Sequence, residues 1–253
     1  MRKIRLVAVL VVREGQVVQS VCFKHTNVIH YDPVHAIECF NKWAVDEIVI
    51  LNVSRDADSR EKFADMISNT SRKCFVPLTV GGWITDAEYA SRLLRSGADK
   101  LCLNTAFLTD PYLIKKLARR YGRQCIVASI DIKRSSDGFA TVYVDRGRHD
   151  TQASPLDWAC RAVDMGAGEI FFNSINHDGS RKGYDLISLQ KICAGIEAPV
   201  IAFGGVFKWH HLVEGVKAGA DAVAAANIFH YTEHSARKAK NFMMEAGIPV
   251  RSS

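Results

Sequence analysis

The sequence predicts a (β/α)8 TIM barrel, and three observations carry that prediction. Short apolar runs alternate along the 253 residues with stretches whose apolar side chains recur at helical spacing, the order expected of a parallel sheet wrapped by helices. One strand–turn–helix–strand unit, residues 75–105, is then written a second time: Gly81-Gly82 returns as Gly204-Gly205, and Gly97-Ala98-Asp99 as Gly219-Ala220-Asp221. Upstream, Leu6 to Val11 matches Ile126 to Asp131 and Asp46 to Leu51 matches Gly168 to Asn173, so the chain reads as a single barrel of two half-barrels, approximately 1–122 and 123–253. An open doubly wound sheet lacks support, because no Gly-x-Gly-x-x-Gly follows the first strand.

The elements follow in order. Ile4 to Val12 is the first strand, with a short strand-like piece at Val17-Val18, and Ser20 to Asp32, which shows no period, is the longest early loop. Asp32-Pro33 opens a helix with proline at its first position, where a missing N–H costs nothing. Glu47 to Val53 is a strand, Arg55 to Arg60 a charged turn, and Phe63, Met66 and Ile67 the stripe of the next helix. Phe75 to Val80 is a strand broken by Gly81-Gly82. Thr85 and Glu88 then form a capping box for a helix with Ala87, Ala90 and Leu94 on one face. A strand from Lys100 ends at Asn104-Thr105, Asp110-Pro111 begins a helix that Gly122 stops, and Cys125 to Ile132 is a strand with Asp131 near its end. Phe139 to Val144 suggests a small hairpin arm, Ser154-Pro155 caps a helix ending at Gly166, and Glu169 to Ser174 runs into the polar loop Asn176 to Gly183. Pro199 to Phe203 and Val223 to Ala226 are the last strands, and His234 to Glu245 the last helix.

Composition narrows the function. With 48% hydrophobic and 24% charged residues this is an ordinary globular chain, long enough for one large core. The net charge of +6 is spread as Lys and Arg interleaved with acids, with no basic block, which argues against nucleic acid and suits a phosphate-bearing small molecule. Seven cysteines without a Cys-x-x-Cys spacing read as buried thiols in a reducing compartment; no metal site and no cofactor is expected. The basic start followed by an apolar run superficially resembles a signal peptide, but Arg13-Glu14 cuts the run short. With no stretch near the ~20 apolar residues of a membrane span, the chain is expected to be cytoplasmic, without membrane contact.

In such a barrel the loops after the strands form the active face. Gly81-Gly82, Asn104-Thr105, Gly179, Gly204-Gly205 and Ala226-Asn227 all fall there. Glycines let backbone N–H groups approach an anion, so the two glycine pairs suggest two phosphate cradles on opposite sides of the mouth, against the plainer reading that they only turn the chain. Asp131 and Asp178 are the acids best placed for proton transfer; Asp178 equally fits a turn beside Gly179, whereas a carboxylate ending an apolar strand, as Asp131 does, needs a task or a partner. At the strand beginnings stand Arg5, Glu47, Lys100 and Glu169. If they point inward they must pair, and on the residues alone a structural plug closing the barrel floor is the preferred reading.

Several motifs together resemble a family from end to end: Pro77-Leu78-Thr79-Val80-Gly81-Gly82, Leu103-Asn104-Thr105-Ala106, Asp178-Gly179-Ser180 with Gly183-Tyr184-Asp185-Leu186, Asn227-Ile228-Phe229-His230 and Gly247-Ile248-Pro249-Val250-Arg251. The chain is similar to the HisF family, the cyclase subunit of imidazole glycerol phosphate synthase. That resemblance implies ammonia released by a HisH-like glutaminase docked on the barrel floor, passed through a charged gate to a two-phosphate ligand at the mouth. It places Arg5, Glu47, Lys100 and Glu169 on the gate, Gly82, Asn104 and Thr105 on one phosphate site, and Gly179, Gly205, Ala226 and Asn227 on the other. Asp131 falls on one of two catalytic aspartates.

The departures from the family pattern redirect the expectation. Val11 stands where the other catalytic aspartate belongs, Gln19 where a lysine belongs, Asn52 replaces an aspartate, Trp83 a third glycine and Asn227 a serine. Valine cannot transfer a proton. What remains resembles the HisF-like paralogues of surface-polysaccharide clusters, which implies ammonia delivery with a HisH-like glutaminase and a separate sugar amidotransferase for amidation of a nucleotide sugar. Histidine-pathway cyclase activity and a non-catalytic, glutaminase-activating barrel are the alternatives.

Overall fold

A computed structural model of the chain describes residues 3–56, 58–230 and 234–251. Its strands are β1 (Arg5–Arg13), β2 (Gln16–Val21), β3 (His25–His30), β4 (Glu47–Asn52), β5 (Leu78–Gly81), β6 (Lys100–Leu103), β7 (Ile126–Arg134), β8 (Ala140–Val144), β9 (His149–Asp150), β10 (Glu169–Ser174), β11 (Val200–Phe203) and β12 (Ala222–Ala225). The helices are α1 (Pro33–Lys42), α2 (Ser59–Ser71), α3 (Ala87–Arg95), α4 (Ala106–Thr109), α5 (Pro111–Tyr121), α6 (Pro155–Met165), α7 (Leu186–Gly195), α8 (Trp209–Lys217) and α9 (Ser235–Glu245). Strands β1, β4, β5, β6, β7, β10, β11 and β12 pair in parallel in that order, and β12 pairs back onto β1, so the sheet closes. The predicted (β/α)8 barrel is the observed fold.

Local chemistry sets the helix ends. Asp32 accepts the Val34 N–H ahead of Pro33, Asp110 accepts from Leu113, Ser154 from Asp157, and Gly166 closes α6 in the left-handed region. Between the barrel and its helices lies the larger core, which includes Leu6, Leu10, Ile48, Ile50, Ile130 and Phe172, all fully buried. No described helix is long and apolar enough to cross a membrane.

Three expectations need correction. Ser20 to Asp32 is no loop: β2 and β3 form an antiparallel hairpin rising from β1. Strand β3 alternates with no buried face, so it leaves no hydrophobic period to read. The cap of α3 is Asp86 rather than Thr85, its carboxylate accepting from Tyr89 N–H at 2.8 Å; the expected face stands, with Ala90 buried and Ala87 and Leu94 packed partly buried against the core, and Tyr89 and Leu93 join it. Phe75 stays 82% exposed, and β5 begins only at Leu78.

Candidate active site

Side chains on a strand alternate between faces, so the odd residues of β1, namely Arg5, Val7, Val9 and Val11, share the inner face of the barrel. The same parity aligns Glu47, Val49 and Leu51 on β4, Lys100 and Cys102 on β6, Val127, Ser129 and Asp131 on β7, and Glu169, Phe171 and Asn173 on β10. The lumen is therefore layered. Charged residues form its floor, a cluster including Val7, Val9, Val49, Val127, Phe171 and Ile201 its middle, and Val11, Asp131 and Asn173 its mouth.

At the floor the four charges close a ring. Arg5 donates to Glu47 at 2.6 Å and to Glu169, while Lys100 donates to Glu47 at 3.0 Å and to Glu169 at 2.8 Å. Thr79 Oγ1 adds a bond to Glu47 at 2.8 Å. Burial opposes the charging of Arg5, but the carboxylates of Glu169 and Glu47 outweigh it and hold its pKa above the ordinary value. Nearby, Lys240 and Asp46 form a second, buried pair at 2.8 Å that ties α9 to the barrel.

The mouth opens into a cavity of about 310 Å³. Asp131 sits in it beside Asn173, its register partner on β10, whose Nδ2 donates to Oδ1 at 3.2 Å; Asn104 Nδ2 donates to Oδ2 at 3.2 Å. Burial pushes the Asp131 carboxyl up to about 7, with the nearby charge of Asp178 adding to it and the bonds from Asn173 and Ser129 opposing it. Val11 lines the same cavity without a polar atom to offer. The cavity thus holds a carboxyl able to exchange a proton near neutrality, next to an apolar wall.

Asp178 is more than a turn residue. Its carboxylate accepts the Ser20 hydroxyl at 2.6 Å and the Phe23 N–H at 3.3 Å, and its backbone carbonyl accepts the Cys22 N–H at 3.0 Å, so it latches the β2–β3 hairpin over the mouth. Burial raises its pKa, and the Ser20 and Phe23 bonds work against that rise.

Both glycine turns need glycine. At Gly82, φ is +113° and an added Cβ would lie 2.4 Å from the Asn52 carbonyl oxygen; at Gly205, φ is +87° and the clash would be 2.3 Å from the Gly183 carbonyl oxygen. Gly82, Asn104 and Thr105 line the main cavity, whereas Gly179, Gly205, Ala226 and Asn227 line a smaller one of about 40 Å³ nearby. Asn227 Oδ1 is buried there without a hydrogen-bond partner. The Asn104 amide is committed to Asp131 and to the Ser129 carbonyl, which accepts at 3.1 Å.

The structure thus brings Arg5, Glu47, Lys100 and Glu169 together at the floor and Gly82, Asn104, Thr105, Asp131 and Asp178 together at the mouth, with Gly179, Gly205, Ala226 and Asn227 on the smaller cavity beside it. Sequence reasoning missed Asn173, although a polar side chain ending the apolar β10 is the same signal that exposed Asp131. It also missed Ser20, inside the stretch read as a loop, and Arg146, in the turn between β8 and β9. On α8, His210, His211 and Glu214 bring their ligand atoms within 4.8 Å of one another, the one such cluster among the described residues, but His211 Nδ1 already accepts the Phe207 N–H at 3.2 Å.

Comparison with known proteins fits this geometry. The family model described as histidine biosynthesis protein matches residues 5–235. The imidazole glycerol phosphate synthase subunit HisF of Streptomyces coelicolor is 39% identical over 248 residues, covering 98% of each chain. The match spans both ends of the lumen, and the chain belongs to the HisF family.

Proposed function

We propose that this chain is the synthase-type subunit of a glutamine amidotransferase, conducting ammonia from a HisH-like glutaminase on the barrel floor to a phosphate-bearing acceptor at the mouth. The observation that carries this reading is the alignment along one axis of a four-charge ring, an apolar lumen and a single carboxyl near neutrality. Neutral ammonia crosses apolar side chains without the cost of burying a charge, which ammonium would incur. The ring of Arg5, Glu47, Lys100 and Glu169 acts as the gate, since all four charges are paired and one must swing aside to let a molecule pass. The glycine cradles at Gly82 with Thr105 and at Gly179 with Gly205, Ala226 and Asn227 hold the phosphates of the acceptor. Asp131 takes up and returns the proton, and Asp178 keeps the hairpin closed while it does so.

With Val11 in place of a second acid, we further propose that the acceptor is not the histidine precursor but a nucleotide sugar amidated for surface polysaccharide, with a separate sugar amidotransferase as partner. The test is turnover of the bisphosphate substrate of imidazole glycerol phosphate synthase by the purified chain, supplied with ammonium salt at alkaline pH so that no glutaminase is needed. No turnover by the folded protein is expected. Turnover at the rate of an ordinary HisF would make the chain a histidine-pathway cyclase and overturn the sugar reading. Failure to form a stable complex with any HisH-like glutaminase would overturn ammonia delivery itself.

A further inference from the structure

Trp83 and Arg146 form a pair at the mouth that neither glycine cradle includes. The Arg146 guanidinium lies over the Trp83 ring, 5.0 Å from its centroid, and both residues line the main cavity. Each occupies the left-handed backbone region, Trp83 at φ +57° and Arg146 at +59°, with Asp145 at +49° beside it. Such conformations are disfavoured for non-glycine residues and concentrate at functional sites.

Both side chains are held in place. Trp83 Nε1 donates to the Ser54 carbonyl at 2.8 Å. Arg146 Nε and Nη2 donate to Asp145 Oδ1 at 3.3 and 3.1 Å, and the Asp145 N–H bonds Thr105 Oγ1 at 3.0 Å, which ties the turn to the Gly82 side of the cavity. The third guanidinium nitrogen, Nη1, is buried with no hydrogen-bond partner. A buried, unpartnered N–H on a fixed cation marks the place of a missing acceptor. The charge around it agrees: Arg13, Lys24, Arg55, Arg146 and Arg148 line this cavity against Asp131, Asp145 and Asp178.

We propose that Arg146, lying over the Trp83 ring, is an anion subsite adjoining the Gly82 cradle, and that the acceptor carries a diphosphate, one phosphoryl group in the cradle and the next on Arg146. This rests on the reading that a phosphate-bearing acceptor binds at the mouth. Thr105, a residue of the Gly82 cradle, accepts the N–H of Asp145, and Arg146 follows Asp145 in the chain, so the guanidinium and the cradle share one side of the same cavity. A diphosphate offers two linked anionic groups to these two neighbouring positions.

The experiment is a titration of nitrogen-15-labelled full-length protein with inorganic phosphate and, separately, inorganic pyrophosphate, following backbone amides of Gly82 and Gly205 and the Trp83 indole N–H, which Trp83→Phe identifies. Pyrophosphate is expected to move the Trp83 signal at a concentration about tenfold lower than phosphate, one charge-assisted hydrogen bond in size. Arg146→Gln should erase that preference while Gly82 and Gly205 still respond to phosphate, and Arg146→Lys, which keeps the charge, should retain part of it. An unchanged preference in Arg146→Gln overturns the subsite alone. No response of Gly82 or Gly205 to either anion overturns the phosphate-bearing acceptor as well.

Discussion

Asn173 and Asp131 are register partners on neighbouring strands, and the Asn173 amide donates to the Asp131 carboxylate at 3.2 Å in the mouth of the barrel. This bond and the one from Ser129 stand against the burial that drives the carboxyl up to about 7. The balance leaves a buried carboxyl whose charged form costs the fold stability.

Stability should therefore fall as pH rises. In the unfolded chain Asp131 titrates near ~3.9, and in the folded chain at about 7, so between those values the folded state holds the extra proton. Its favourable share is complete below about pH 4 and lost through pH 7, a difference on the order of 4 kcal/mol. Asp131→Asn keeps an acceptor oxygen for Asn173 and cannot titrate. Its Tm should exceed that of the natural chain at pH 8, with the gap closing towards pH 5; equal Tm values at pH 8 would remove the burial account of this carboxyl. Product formation should be lost in the same variant.

The floor ring predicts strong coupling. Removing Arg5 leaves Glu47 and Glu169, both buried, sharing Lys100 alone. Arg5→Met is expected to cost about 3–5 kcal/mol in urea unfolding, the range for stranding one partner of a buried pair. Adding Glu169→Gln should recover more than about 1 kcal/mol of that loss, because the pair is then removed as a unit. Additive costs would mean that the ring is solvated rather than closed.

How far the sequence discloses this molecule depends on burial. The eight barrel strands are legible because each is apolar and ends in glycine or a polar turn, and Pro33, Pro111 and Pro155 mark helix starts by their fixed φ. The β2–β3 hairpin is not legible, since its outer strand has no buried residue and the bond from Ser20 to Asp178 joins residues 158 apart in the chain. The four charges of the floor are legible at the strand starts, and their pairing follows once they share the inner face, but which cation meets which carboxylate is not legible, because parity carries no such information. Arg146 leaves little trace: a basic residue in a turn is ordinary, and only its place over the Trp83 ring and its unpartnered nitrogen set it apart.

That distant latch can be tested directly. Ser20→Ala removes the 2.6 Å bond to Asp178 while leaving the barrel core untouched. Global stability should change by no more than about 1 kcal/mol, whereas amide exchange in Gln16–Val21 and His25–His30 should accelerate together. Unchanged exchange would show that pairing within the hairpin, rather than Asp178, holds it over the mouth.

Val11 is the residue on which the choice between the two acceptors turns. It lines the mouth cavity with Asp131, and its side chain is almost fully buried, so Val11→Asp would set a second carboxyl in the same low-dielectric space. Two acids there repel, and the pair should titrate in two separated steps, with the variant less stable than the natural chain at pH 8 and nearly equal to it at pH 5. If the missing acid is what withholds cyclase chemistry, ammonium-dependent turnover of the bisphosphate substrate should rise about 100-fold or more over the natural chain, the usual scale of one acid–base group. A folded Val11→Asp protein that stays inactive would instead place the block elsewhere in the cavity lining, with Asn52, Trp83 and Arg146 the next residues to exchange.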